Sequence, residues 1–143
     1  MTDTQKLVHS RTRGRSDARS LDCYRKAVGL ESSDRLDFES FTLIYLSNAE
    51  SGFELELTVN KSQSGAYDLG NGYGHIAFSV ADLDATHARI AAEGLAPGDI
   101  KELAHSSRGQ ARFFLIADPD GSKLAGRSEE RRVGTACRSW RPP

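Results

Sequence analysis

The sequence predicts an α+β fold built from two successive modules, each with the order strand, helix, strands. Residues 74–80 alternate between a less apolar face, which starts with His75, and a face of large apolar side chains. Residues 53–60 alternate in the same way, with Glu56 on the polar face. A period of two is typical of a strand that packs on one face. A helical pattern with its own capping residue occurs in each half of the chain, so the same order appears twice.

The first module covers about residues 6–60. We expect its first strand at residues 6–15, although most of that stretch is polar. Ser16 or Asp17 is a candidate N-cap for a helix that ends at Gly29. The remaining predicted elements are a polar loop at 31–35, an apolar strand at 36–46, a turn at 48–52 and a strand at 53–60.

The second module covers about residues 73–126 and follows a hinge at 61–72, whose composition is that of a linker. After the strand that begins at His75, Asp82 is a candidate N-cap for a helix that Gly94 ends. The remaining predicted elements are a loop at 95–109 with a short strand near 99–103, an apolar strand at 111–117, a turn at 118–121 and a closing strand from 122.

Length and charge restrict the class of protein. At 143 residues the chain fits one domain, with enough length to bury a sizeable core. A net charge of -1 and a pI near 6.4 give no electrostatic reason to expect nucleic acid or a membrane surface as a partner. No apolar run approaches the roughly 18 residues of a spanning helix, and residues 1–19 lack the apolar segment of a secretory signal. We therefore expect a cytoplasmic protein.

Residue types that bind metals lie on the polar faces of the two alternating strands. Glu56 stands on one of them and His75 on the other, and a histidine and a carboxylate placed in this way can form a metal cleft within a sheet. Glu54 shares the face of Glu56, so the pattern alone does not choose between the two carboxylates. His9 precedes Glu56 by about the same number of residues as His75 precedes Ala125, which indicates a weak internal repeat.

Five motifs in this order resemble the glyoxalase I (lactoylglutathione lyase) family of the vicinal oxygen chelate superfamily. Together they span roughly residues 6–123. They are Lys-Leu-Val-His at 6–9, Ser-Leu-Asp-Cys-Tyr-Arg-Lys-Ala-Val-Gly-Leu at 20–30, Glu-Leu-Glu-Leu-Thr-Val-Asn at 54–60, Gly-Tyr-Gly-His-Ile-Ala at 72–77 and Asp-Pro-Asp-Gly at 118–121.

The resemblance implies a fold and an activity. The fold is two paired βαβββ modules that form a curved mixed sheet around a metal cleft, as in glyoxalase and bleomycin-resistance proteins, usually in a homodimer. The activity is the metal-dependent isomerisation of the glutathione–methylglyoxal hemithioacetal to S-lactoylglutathione, which detoxifies methylglyoxal. The metal polarises the substrate oxygens and stabilises an ene-diolate, while a carboxylate carries a proton between adjacent carbons.

The resemblance also implies the site residues. His9, Glu56 and His75 match three of the four metal ligands, and Glu56 is the remaining carboxylate that could carry the proton. Arg13 and Asn60 match positions that hold glutathione. A histidine at the first ligand position is typical of enzymes activated by one Ni²⁺ or Co²⁺ per site, with Zn²⁺ as the alternative.

The sequence departs from the family in two places. The fourth ligand, a glutamate that is also the catalytic base, is expected where Ala125 stands, and alanine can neither bind a metal nor move a proton. The activity of this chain is therefore in doubt. The first strand carries Arg11, Thr12, Gly14 and Arg15 where the family has apolar residues, so we expect this strand to be the least stable part of the fold.

The last residues do not match the pattern of the preceding 126. Residues 127–134 read as a translation of common sequencing-adapter DNA. We therefore hypothesise a single domain at 1–126, followed by a non-native tail at 127–143 that is a sequencing artefact.

Two alternatives to glyoxalase I stay open. One is another enzyme of the superfamily, such as an epimerase or an extradiol dioxygenase. The other is a non-catalytic ligand-binding module, like the bleomycin-sequestering proteins, with which Ala125 is compatible.

Overall fold

The chain separates into two compact units, Met1–Leu69 and Gly70–Pro143. The computed structural model describes residues 4–105 and 109–128. None of the helices in this described part is long and apolar enough to cross a membrane.

The first unit is a four-stranded mixed sheet with one helix. Its strand order is β1-β4-β3-β2, in which β1 runs parallel to β4 and the other neighbours are antiparallel. Its elements are β1 (His9–Gly14), α1 (Asp17–Val28), β2 (Glu31–Asp37), β3 (Phe41–Ser47) and β4 (Glu54–Asn60).

The second unit repeats this arrangement. Its strand order is β5-β8-β7-β6, again with one parallel pair, β5 with β8. Its elements are β5 (His75–Val80), α2 (Leu83–Ala92), β6 (Lys101–His105), β7 (Gly109–Ala117) and β8 (Lys123–Ser128).

The two units share register as well as order. His9 lies opposite Glu54 in the first parallel pair, and His75 lies opposite Lys123 in the second. Two residues further along, Arg11 lies opposite Glu56 and Ala77 lies opposite Ala125. The predicted α+β class with two βαβββ modules is confirmed, and each module is an open sheet.

Local chemistry explains where the first helix begins and ends. Ser16 is the N-cap of α1, and its hydroxyl accepts a hydrogen bond from the amide of Arg19. Gly29 has φ 72°, the left-handed conformation that favours glycine, and its amide donates to the carbonyl of Arg25. Leu30 continues the cap with a hydrogen bond to Tyr24. The predicted limits of this helix are therefore confirmed.

The prediction of a loop at 31–35 is wrong, because these residues begin β2. All seven residues of β2 are exposed, so no apolar periodicity marks the strand in the sequence. Backbone pairing with β3 alone defines it. The apolar stretch at 36–46 is also not one strand. Leu36 and Asp37 end β2, and β3 begins at Phe41.

The closing part of the second unit extends beyond the predicted limits. The short strand expected near 99–103 is β6 at Lys101–His105. β8 continues to Ser128, so the first two residues of the hypothesised tail pair with β5 as part of the sheet. The rest of that tail lies outside the described residues.

Each unit buries its own apolar core between helix and sheet. The buried apolar residues of the first unit are Cys23, Tyr24, Ala27, Ile44, Leu46, Leu55 and Leu57. Those of the second unit are Leu83, Ile90, Phe114, Ile116 and Leu124, while Ala125 is buried on the other face of the sheet.

Gly126 provides a test of packing in the second unit. A Cβ atom there would lie 2.7 Å from the Phe114 ring and 3.0 Å from the Phe78 ring. Phe114 is fully buried and cannot move away freely. We expect Gly126→Ala to lower the free energy of unfolding by about 1–3 kcal/mol, measured by urea denaturation. Gly72→Ala, where a Cβ would meet nothing within 4 Å, is the control. Equal stabilities of the two variants would contradict this packing.

Candidate active site

Glu56 is the centre of the polar face of the first sheet. It lies in β4, between β1 and β3, with Arg11 opposite on one side and Tyr45 opposite on the other. Only 4% of Glu56 is exposed. A carboxylate this deeply buried is costly unless charged or polar groups pair with it. The contacts of its two oxygens therefore determine what the site can do.

Both carboxylate oxygens of Glu56 have partners. Arg11 donates from Nε to Oε1 at 2.9 Å, and the Tyr45 hydroxyl donates to Oε2 at 2.7 Å. His9 Nε2 lies 3.5 Å from Oε2, and the His9 ring meets the Tyr45 ring edge to face. Strand alternation explains this cluster, because His9 and Arg11 are two residues apart on β1 and share a face.

These contacts set the ionisation state of Glu56. Burial acts to raise the pKa of this carboxyl, but the hydrogen bonds from Tyr45 and Arg11 and the positive charge of Arg11 outweigh it. The resulting pKa lies below the ordinary value of 4.5. The same hydrogen bond to Glu56, with burial and the carboxylate charge, raises the pKa of Tyr45. Glu56 is therefore a carboxylate at neutral pH.

Glu54 has a different environment from Glu56, although the two lie on one face of β4. Glu54 is half-buried, and its Oε2 accepts a hydrogen bond of 2.9 Å from the hydroxyl of Ser33. It therefore faces the β2 side of the sheet, whereas Glu56 faces His9. This geometry favours Glu56 as the functional carboxylate of the strand.

The two predicted substrate-binding residues lie on the same strands as this cluster. Arg13 is exposed on β1, two residues beyond Arg11, and lies opposite Thr58. Asn60 ends β4, and its side-chain amide donates to the hydroxyl of Tyr67 at 3.4 Å. Arg13 can offer a planar pair of donors to a carboxylate. Asn60 can both donate and accept hydrogen bonds.

The second unit holds His75 and Ala125. His75 is exposed at the start of β5, opposite Lys123, whose amide donates to the hydroxyl of Tyr73. Ala125 is buried in β8 at the register position that Glu56 occupies in the first unit. The structure thus places an alanine methyl group where the repeat would place a carboxylate.

Comparison with known proteins identifies the family. The model of the Glyoxalase/Bleomycin resistance protein/Dioxygenase superfamily matches residues 6–125. The chain belongs to this superfamily. Its fold and its polar strand faces can therefore be compared with those of superfamily members.

Several relatives in the superfamily carry one name. The chain is 35% identical over 147 residues to a lactoylglutathione lyase of Pseudomonas aeruginosa, covering 82% of this chain and 80% of the relative. It is 32% identical over 123 residues to a lactoylglutathione lyase of Neisseria meningitidis, covering 83% and 87%. The trypanothione-dependent glyoxalase I of Leishmania major matches in structure with a TM-score of 0.68 and 25% identity, covering 88% of each chain.

The superfamily suggests a divalent metal, and the first unit brings together two donors of the types that such an ion prefers. His9 Nε2 and Glu56 Oε2 are 3.5 Å apart. Two ligands that each lie about 2.1 Å from one ion are roughly 3–3.4 Å apart. An imidazole and a carboxylate suit a borderline divalent metal. Within residues 4–105 and 109–128, no group of three or more His, Cys, Asp and Glu side chains is placed to hold an ion.

Sequence reasoning missed Arg11 and Tyr45 as partners of Glu56. The signal for Arg11 was its position two residues after His9, which puts both on one face of a strand. Tyr45 could be found only from the register of β3 against β4, and that register follows from the turn at 48–52. In this turn the Asn48 side chain accepts hydrogen bonds from the amides of Glu50 and Ser51.

Removing the Tyr45 hydroxyl should destabilise the first unit in a pH-dependent way. We expect Tyr45→Phe to cost about 1–3 kcal/mol of unfolding free energy at pH 7, because a buried carboxylate loses a donor. The pKa of Glu56 is depressed in the folded state, so this pairing stabilises above the ordinary pKa of 4.5 and is lost as pH falls through the lower folded value. The cost should therefore shrink in acid, as measured by urea denaturation at several pH values.

The matched control is Tyr73→Phe, which removes a hydroxyl that accepts a hydrogen bond from the backbone amide of Lys123. Its cost should be smaller and independent of pH. A Tyr45→Phe cost that stays constant down to acid pH would contradict the pairing with ionised Glu56.

Proposed function

We propose that the chain is a glyoxalase I, which isomerises the glutathione–methylglyoxal hemithioacetal to S-lactoylglutathione and so detoxifies methylglyoxal. The observation that carries this proposal is the His9–Glu56 pair on one face of the first sheet, in a superfamily member with relatives named lactoylglutathione lyase. In the same proposal the protein acts in the cytoplasm as a homodimer.

The proposed metal ligands are His9, Glu56 and His75. Two imidazoles and a carboxylate suit Ni²⁺ or Co²⁺, with Zn²⁺ as the alternative. When bound, the divalent ion supplies Lewis-acid polarisation of the substrate oxygens. His9 and Glu56 come from neighbouring parallel strands, so the backbone pairing of β1 with β4 fixes their separation.

Glu56 is the proposed proton carrier between the adjacent carbons of the substrate. Its ionised state makes it a ready acceptor at neutral pH. A lowered pKa also weakens a carboxylate as a base. The hydrogen bonds from Arg11 and Tyr45 thus keep Glu56 charged but make it a weaker base. A weaker base favours slow turnover by the chain with Ala125.

Arg13 and Asn60 are the proposed residues for the glutathione part of the substrate. Both lie on the strands that carry His9 and Glu56, which supports their assignment to one binding face. The Arg13 guanidinium can bind a glutathione carboxylate through two parallel hydrogen bonds. Asn60 can add a hydrogen bond to the same group.

A ligand-binding module without catalysis is the second candidate, and the buried Ala125 is the observation that favours it. Another superfamily enzyme, such as an epimerase or an extradiol dioxygenase, is a further alternative. The presence of His9, Glu56 and His75 together supports an enzyme, because a pure binder needs no set of metal ligands.

The decisive experiment compares the purified chain with Ala125→Glu in hemithioacetal isomerisation with added Ni²⁺. We expect the Ala125→Glu variant to turn over at least about a hundredfold faster, because loss of a general base typically costs roughly 10²–10⁴ in rate. Measurable turnover by the unaltered chain would show that Glu56 suffices. If both proteins fold and bind metal but neither isomerises the substrate, the glyoxalase proposal fails and the alternatives gain support.

Substrate binding by Arg13 is tested in the more active of these two backgrounds. We expect Arg13→Gln to raise KM for the hemithioacetal about tenfold, with a smaller change in kcat, because one charged contact to the bound substrate is lost. Arg19→Gln, which removes an exposed arginine from α1, is the control and should leave KM within about twofold. Equal effects of the two substitutions would exclude a specific role for Arg13.

A further inference from the structure

A guanidinium already holds the carboxylate that the proposed metal needs. Arg11 Nε donates to Glu56 Oε1 at 2.9 Å, where Glu56 is buried and the Arg11 side chain is half exposed. Arginine stays charged at any physiological pH. The first unit therefore supplies its own cation to Glu56.

The second oxygen of Glu56 is also engaged. Oε2 accepts from the Tyr45 hydroxyl at 2.7 Å and lies 3.5 Å from His9 Nε2. An ion on Oε2 would thus share one negative charge with the guanidinium on Oε1. Two cations at one carboxylate repel each other.

The equivalent register positions of the second unit hold neither an arginine nor a carboxylate. In the first unit the parallel strands pair Arg11 with Glu56, and in the second unit the equivalent pair is Ala77 with Ala125. Where the repeat lacks the carboxylate, it also lacks the guanidinium. Arg11 is thus the counterion of Glu56 in the first unit.

We infer that Arg11 competes with the divalent metal for Glu56 and so determines the metal affinity of this protein. The inference rests on the proposed metal site. Arg11 ends in solvent and has a long flexible stem, so a bound ion can displace its guanidinium without disturbing β1. Arg11 lowers the apparent affinity in either position, because a guanidinium that stays on Oε1 repels the ion on Oε2 and one that moves away loses its hydrogen bond.

The competition is tested by titrating Co²⁺ into the full chain and following its visible absorption, with calorimetry as a second measurement. We expect Arg11→Met to bind Co²⁺ roughly tenfold to a hundredfold more tightly, since it loses one charge-assisted hydrogen bond to Glu56. Arg13→Met removes the same charge from the same face of β1 but lies opposite Thr58. It should change the affinity by less than about threefold.

Arg11→Gln is a second variant in case the methionine disturbs the strand, and circular dichroism verifies that each protein folds. Unchanged or weaker Co²⁺ binding in folded Arg11→Met or Arg11→Gln would overturn the inference, and so would equal gains for the variants at Arg11 and Arg13. The inference would also be overturned if neither the unaltered chain nor any of the variants bound Co²⁺ detectably. Failure of the proposed reaction would instead appear as absent turnover in Ala125→Glu while the affinities still differ.

Discussion

The buried Glu56 carboxylate is the constraint on which the first unit depends. An ionised group that is 4% exposed requires hydrogen-bond partners, and Arg11 and Tyr45 supply them from the two neighbouring strands. β1 contains few apolar side chains, and the charged pair on one face complements the burial of Thr12 and Gly14 on the other. The carboxylate therefore stabilises the attachment of the edge strand as well as forming the candidate site.

The sequence predicted those elements whose periodicity comes from one buried face. β5 alternates between exposed and half-buried residues as expected. Asp82 caps the second helix as predicted, and Ser16, one of the two candidates with Asp17, caps the first. It could not predict β2, because a strand exposed along its whole length has no apolar pattern. The sequence also predicted the end of β2 and the whole of β3 as one strand. Leu36 and Phe38 are apolar but exposed, so they extend the apolar pattern beyond the residues that are buried.

The candidate site was predictable only in part, for a reason of register. The family resemblance implied that His9, Glu56 and His75 are metal ligands, and these roles stay predictions. In the sequence Glu56 is 45 positions from Arg11 and 11 positions from Tyr45. Which residues of two parallel strands face each other depends on packing of the intervening helix, and one residue of slip would turn Arg11 to the other face.

Arg11 and Ala125 act on the proposed metal in the same direction. Alanine at position 125 leaves Glu56 as the one carboxylate among the proposed ligands. Arg11 then balances that single charge, so the Glu56 carboxylate and the Arg11 guanidinium together carry no net charge. An ion that binds Glu56 therefore meets a carboxylate whose charge the first unit has already neutralised through the hydrogen bond from Arg11.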